Sequence, residues 1–188
     1  GAPRLGARFA ARAASIALIK NGVYGAMFVS GCLSAALSPA PDVPAILAGG
    51  LSCIPQRSRL AEAVRNVVAW YAETQDWIAT CDRIEARYGH LAFADQVNNL
   101  AMVTLALVHG NLDYEKTITT AVMAGMDVDC NGATAGSICG AAIGYTRLPQ
   151  RWIAPLHDTV KTVVASFGQG TISGLAERTI ALREKLFG

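Results

Sequence analysis

The sequence predicts an all-α fold, on three observations. Apolar residues recur at three- and four-residue spacing nearly throughout, and β-branched residues are rarely set in the alternation that a half-buried strand needs. Breakers built from Pro, Gly and Asn then cut the chain into segments of ordinary helix length. Of 188 residues, 52% are apolar and 16% charged, which excludes a disordered chain and suits one compact domain spanning residues 1–188.

Taken in order, the first helix is an Ala-rich pattern carrying Arg4, Arg8, Arg12 and Lys20, stopped by Asn21-Gly22. The second, Gly22 to Leu37, is uncharged and diluted by Gly, Ala and Ser; at 16 residues it falls short of the roughly 20 apolar residues of a membrane span. It reads as a buried helix, ended by Ser38-Pro39-Ala40-Pro41. A third element runs to Ile54-Pro55. The clearest helix is Ser58 to Gln75, where Leu60, Val64, Val67, Val68 and Tyr71 form one stripe and Ser58 is the expected N-cap. Gly89, Gly110, Leu148-Pro149 and Gly168-Gln169-Gly170 divide the remainder, giving about ten helices joined by short loops, with no internal repeat.

Sixteen Lys and Arg against fourteen Asp and Glu leave a net charge of +2, without the basic run that follows a phosphate backbone, so nucleic acid is not expected as a partner. No membrane association is expected either. The five cysteines are odd in number and never form C-x-x-C, which argues against a disulfide framework or zinc knuckle and for a reduced, cytoplasmic protein. The opening residues lack a secretory signal pattern, and a start at Gly1 rather than Met predicts a processed, tagged or partial gene product.

The densest polar signal in apolar surroundings is Gly125-Met126-Asp127-Val128-Asp129-Cys130-Asn131-Gly132. Carboxylates at i and i+2 leave a helix on different sides, so Asp127 and Asp129 are expected to converge in a loop, with Asp129 or Asn131 capping the helix that follows. Two hard anionic oxygens suit Mg²⁺, Ca²⁺ or Mn²⁺, although the same spacing also describes a simple capping turn. Gly132, Gly136, Gly140 and Gly144 would stripe one helix face, open to a tightly crossed neighbour or a ligand. Asn98-Asn99 interrupts an apolar run, where an amide is either bonded within the protein or offered to a ligand. His90, His109 and His157 have no evident Ser, Cys or carboxylate partner, so no triad is expected. The carboxylates beside Cys130 should disfavour its thiolate, which argues against a nucleophile.

The run Asp127 to Ile138 resembles the C-terminal motif of the ADP-ribosylglycohydrolase family, which includes the dinitrogenase-reductase-activating glycohydrolase and the J1 crystallins. Asn21-Gly22-Val23-Tyr24-Gly25, Ile54-Pro55 with Ser58-Arg59-Leu60, Val97-Asn98-Asn99, Arg151-Trp152, Asp158-Thr159-Val160 and Leu175-Ala176-Glu177-Arg178-Thr179 resemble one bacterial branch, in the same order. The resemblance implies an orthogonal bundle around a binuclear Mg²⁺ or Mn²⁺ centre, and metal-dependent hydrolysis of N- or O-glycosidic bonds to ADP-ribose, an ADP-ribosylated substrate or a related ribosyl compound. It implies Asp127 and Asp129 as metal ligands, Cys130 as a further candidate where many relatives have a hydroxyl, and Asn21, Tyr24, Asn98 and Asn99 near the substrate. The chain departs from the family pattern at Leu18, Phe93 and Asp95, where relatives in this branch carry histidine. The resemblance covers the family's C-terminal portion, so the remaining metal ligands and the catalytic acidic residue are expected from an N-terminal half, as part of the same gene product or a separate chain. The alternative is a catalytically silent member that binds a nucleotide-like ligand or a protein partner.

Overall fold

The computed structural model describes residues 1–187, which form two compact units, residues 1–147 and 148–187. The first is entirely helical: α1 (Pro3–Ala14), α2 (Asn21–Ala36), α3 (Val43–Leu51), α4 (Arg59–Thr74), α5 (Trp77–Tyr88), α6 (Gln96–Gly110), α7 (Tyr114–Met123) and α8 (Val128–Ile143), followed by a 3₁₀ turn at Tyr145–Arg147. The all-α expectation is met. Helix α6 is the centre: every residue from Val97 to Leu107 is buried, and α2, α4, α5, α7 and α8 all pack against it. A helix apolar on all sides can be stable only when enclosed in this way.

Local chemistry explains most boundaries. Ser58 caps α4, its Oγ accepting from the Ala61 amide at 3.2 Å. Asp42, Asp76, Asp95 and Asp113 cap α3, α5, α6 and α7 by the same device, at 2.7–2.9 Å to the nearer amide. Three expectations need correction. The first break falls at Ser15–Lys20, so Asn21-Gly22 opens α2 rather than closing α1; Lys20 reverses the chain there with φ 47°. Val68 leaves the buried stripe of α4 and is 40% exposed, because it faces an open hollow between α3, α4 and α6. Gly144 is not helical: it ends α8 with φ 77°, so the glycine stripe stops one turn earlier.

Residues 148–187 hold α9 (Gln150–Ile153), a 3₁₀ turn at Ala154–Leu156, strands β1 (Thr159–Val164) and β2 (Phe167–Thr171), and α10 (Ile172–Phe187). The antiparallel β1–β2 hairpin departs from the helical reading of this stretch. Its cause is local: five of the six residues of β1 are β-branched, a composition that fits a pleated strand. Gly168 and Gly170 therefore lie within β2 instead of forming a bare helix breaker. Asp158 joins hairpin to helix, accepting from the Ser173 amide at 2.9 Å and hydroxyl at 2.5 Å, and these bonds lower its pKa. Among the described residues no helix is long and apolar enough to cross a membrane.

Candidate functional site

The turn between α7 and α8 is short. Gly125 (φ 85°) and Met126 (φ 62°) both take left-handed backbone, reversing the chain so that Asp127 stands at the N-cap of α8. The helix starts at Val128, not after Asp129 or Asn131 as the capping argument expected. Asp127 and Asp129 therefore converge across a helix start rather than in a loop: one sits just outside the helix, the other in its first turn. A carboxylate oxygen from each and the Cys130 Sγ all lie within 4.8 Å of one another, facing outward.

Buried amides set this geometry. Asn98, Asn99 and Asn131 are 0%, 6% and 3% exposed. The Asn99 Oδ1 accepts from the Asp127 amide at 3.1 Å and from Asn131 Nδ2 at 2.9 Å, while its Nδ2 donates to the carbonyls of Phe93 at 2.8 Å and Asp95 at 2.9 Å. Asn98 Oδ1 accepts from the Asn99 amide at 2.8 Å, and Asn98 Nδ2 donates to the Ala92 carbonyl at 3.2 Å. One primary amide thus ties the head of α6 to the head of α8. Of the two readings of the Asn pair, the structure displays the internal bonding in full. Asn131, weighed in the sequence only as a cap, is instead the buried partner that locks the first turn of α8.

The electrostatics follow from this crowding. Asp129 is held below the ordinary carboxylate range, first by its hydrogen bond with the Asp127 side chain and then by backbone amides at the helix start. The Cys130 thiol is pushed up, first by its hydrogen bond to Asp127 and then by the charge of that carboxylate. The thiol is thus no ready nucleophile.

From α2, Gly25 comes close to the head of α6: a Cβ on it would lie 2.5 Å from the Gln96 Oε1. Gln96 had no signal of its own in the sequence beyond opening the same polar run. Asn21 Oδ1 is a buried acceptor without a hydrogen-bond partner among the described residues, whereas Tyr24 packs half-buried against the core. Along α8, Gly132 and Gly136 admit α7 closely, since a Cβ on either would stand 3.1 Å from Val122 or Ile118. Beside that contact lies a hollow of about 470 Å³, reached by Tyr114, Val128 and Asp129. The larger hollow, about 520 Å³ between α3, α4 and α6, is lined by apolar side chains apart from Arg65 and Asn111 and contains none of the predicted site residues. Arg65 there is occupied with Gln56.

Leu18 and Phe93 are exposed at 42% and 63%, and the Asp95 carboxylate is engaged as the cap of α6. His109 does find a partner, with Nδ1 at 2.9 Å from the Tyr71 hydroxyl. All five cysteines are free thiols.

An all-helical body with an acidic helix head braced by buried amides is the class that fold and site define. The family model for ADP-ribosylglycohydrolase matches residues 1–186, and the chain belongs to that family of hydrolases. No curated protein and no solved structure matches it.

Proposed function

We propose that this chain supplies one side of a metal-dependent glycohydrolase site acting on N- or O-glycosidic bonds to ADP-ribose or a related ribosyl compound. The observation that carries the reading is the convergence of Asp127, Asp129 and Cys130 within 4.8 Å, at a helix head whose only N-cap side chain makes no capping bond. A carboxylate at that position ordinarily turns inward to the helix amides. Here it is directed to a second carboxyl group with which it shares a hydrogen bond, and a divalent cation would take the place of the shared proton.

The donor set fits such an ion in part. Two carboxylate oxygens match Mg²⁺ or Mn²⁺, and the softer thiol favours Mn²⁺ of the two. Three donors are about half of a six-coordinate shell. The remaining ligands of a binuclear centre, with the acidic group that handles the reacting water, are assigned to the family's N-terminal half, in the same or a separate chain. When bound, the ions would polarise ribose oxygens and lower the pKa of water. Asp127 and Asp129 hold charge at the site, Asn99 and Asn131 fix their orientation, and the Asn21 Oδ1 with Tyr24 offers polar groups to the ligand from α2.

Titration calorimetry with Mn²⁺ and ADP-ribose tests this directly. The wild-type chain should bind Mn²⁺, and the Asp127→Ala/Asp129→Ala double variant should not; binding that survives both changes overturns the assignment. Release of ADP-ribose from a modified substrate is expected only when the N-terminal half is present. A second reading, a silent member that binds without turnover, is favoured by Leu18, Phe93 and Asp95, because Asp95 serves as a helix cap where relatives carry histidine. Affinity without release in the completed protein would select it.

A further inference from the structure

The first 41 residues contain four cations, Arg4, Arg8, Arg12 and Lys20, and no Asp or Glu; all fourteen carboxylates lie beyond them. Helix α1 presents this charge on a fixed platform. Its inner face is small: Ala7 is 2% exposed, the Ala2 amide donates to Ser34 Oγ at 3.0 Å, and a Cβ on Gly6 would meet Ser30 Oγ at 2.8 Å. With that face held close to α2, the outer face carries Arg4, Arg8 and Arg12 at four-residue spacing beside Leu5 and Phe9, which are 39% and 59% exposed. Leu5, Arg8, Phe9 and Arg12 enclose a shallow recess of about 90 Å³. The ion pairs among the described residues are Arg83–Glu73 and Arg87–Glu62, so none engages these guanidinium groups.

We infer that the outer face of α1 is a docking surface for an acidic amphipathic helix of a partner polypeptide. Four residues of helix rise about 6 Å, so the arginines form a ladder that matches carboxylates repeated at the same interval on a facing helix. The Leu5–Phe9 pair supplies the apolar seam between them, in the manner of a helix pair with charged flanks. Guanidinium is the cation best suited to carboxylate forks. A lipid surface matches less well, because Arg8 and Arg12 share one recess with the apolar pair and α1 is anchored by its opposite face.

The probe is a fluorescent 21-residue helical peptide with glutamate at every fourth position beside a leucine seam, compared with a peptide of equal composition and shuffled glutamates. The phased peptide should bind the full chain more tightly than the shuffled one and weaken as salt rises. Arg8→Glu/Arg12→Glu should weaken it about tenfold, from two lost pairs and added repulsion, and Arg8→Gln/Arg12→Gln by a few-fold. Phe9→Ala should also weaken it. Circular dichroism confirms that each variant keeps its helices. Equal binding of both peptides overturns the inference. So does retention on phosphatidylglycerol vesicles without peptide binding, which would make the face a lipid surface, or a dimer in sedimentation that Arg8→Glu dissolves, which would make the occupant a second copy.

Discussion

Asp113 and Asp127 occupy the same position at the heads of two consecutive, tightly packed helices, and they do opposite things. Asp113 turns inward and accepts from the Lys116 amide at 2.9 Å. Asp127 makes no side-chain capping bond and faces Asp129 and Cys130 instead. An unmade cap of this kind forgoes about 1 kcal/mol. The head of α8 is then held by Asn99 from behind, which replaces a local bond with one made 28 residues away in sequence. A residue type that stabilises at one helix head is available for chemistry at the next because the backbone has another support.

The strongest way to break that comparison is to remove the support. Asn99→Leu deletes bonds to Phe93, Asp95, Asp127 and Asn131 in a buried setting, and should lower unfolding free energy by about 2–4 kcal/mol in urea titrations. Next, Asp113→Ala should cost about 1 kcal/mol and leave Mn²⁺ binding intact. Asp127→Ala should stay within about 0.5 kcal/mol of wild type yet abolish that binding. Equal stability losses for the two aspartates would erase the distinction. Cys130→Thr sharpens the site side: the preference for Mn²⁺ over Mg²⁺, read by competition calorimetry, should fall several-fold, on the order expected when a soft donor becomes a hard one.

The smallest effect concerns pH. Burial, then Lys116, lowers the pKa of His109, with Asp76 opposing; Tyr71 and Trp77 close the rest of its surroundings. A base whose folded pKa lies below its unfolded value binds more protons when unfolded, so stability is full above the ordinary value of 6.5 and falls as pH drops below it. His109→Gln should flatten the decline in melting temperature between about pH 7 and 5.

How far the sequence carried depended on whether the deciding force was local. Ser58 at the head of α4 and the uncharged α2 were legible because capping acts within one turn and an uncharged run must be buried wherever it packs. At 127–131 three residues with capping chemistry, Asp127, Asp129 and Asn131, stood in five positions. Which one begins the helix is settled by the distant Asn99 and by two left-handed residues before it, neither visible in spacing. The pair of carboxylates was legible, but not the means by which they meet. The hairpin at Thr159–Thr171 was local after all: its β-branched run is a strand signal, outweighed in the reading by the helical pattern around it.

The bracing of Asp127 by Asn98, Asn99 and Met126 also bears on the order of assembly. Asn98 Nδ2 lies 3.8 Å from Met126 Sδ, and the amides that brace Asp127 fall between residues 98 and 131. Closing a loop of about 30 residues carries a modest entropic cost, and contacts this near in sequence form early relative to long-range pairings. During synthesis the braces on α6 leave the ribosome before the aspartates they hold. The acidic turn is therefore expected to reach its final shape as soon as α8 has formed, ahead of any surface that must wait for another segment.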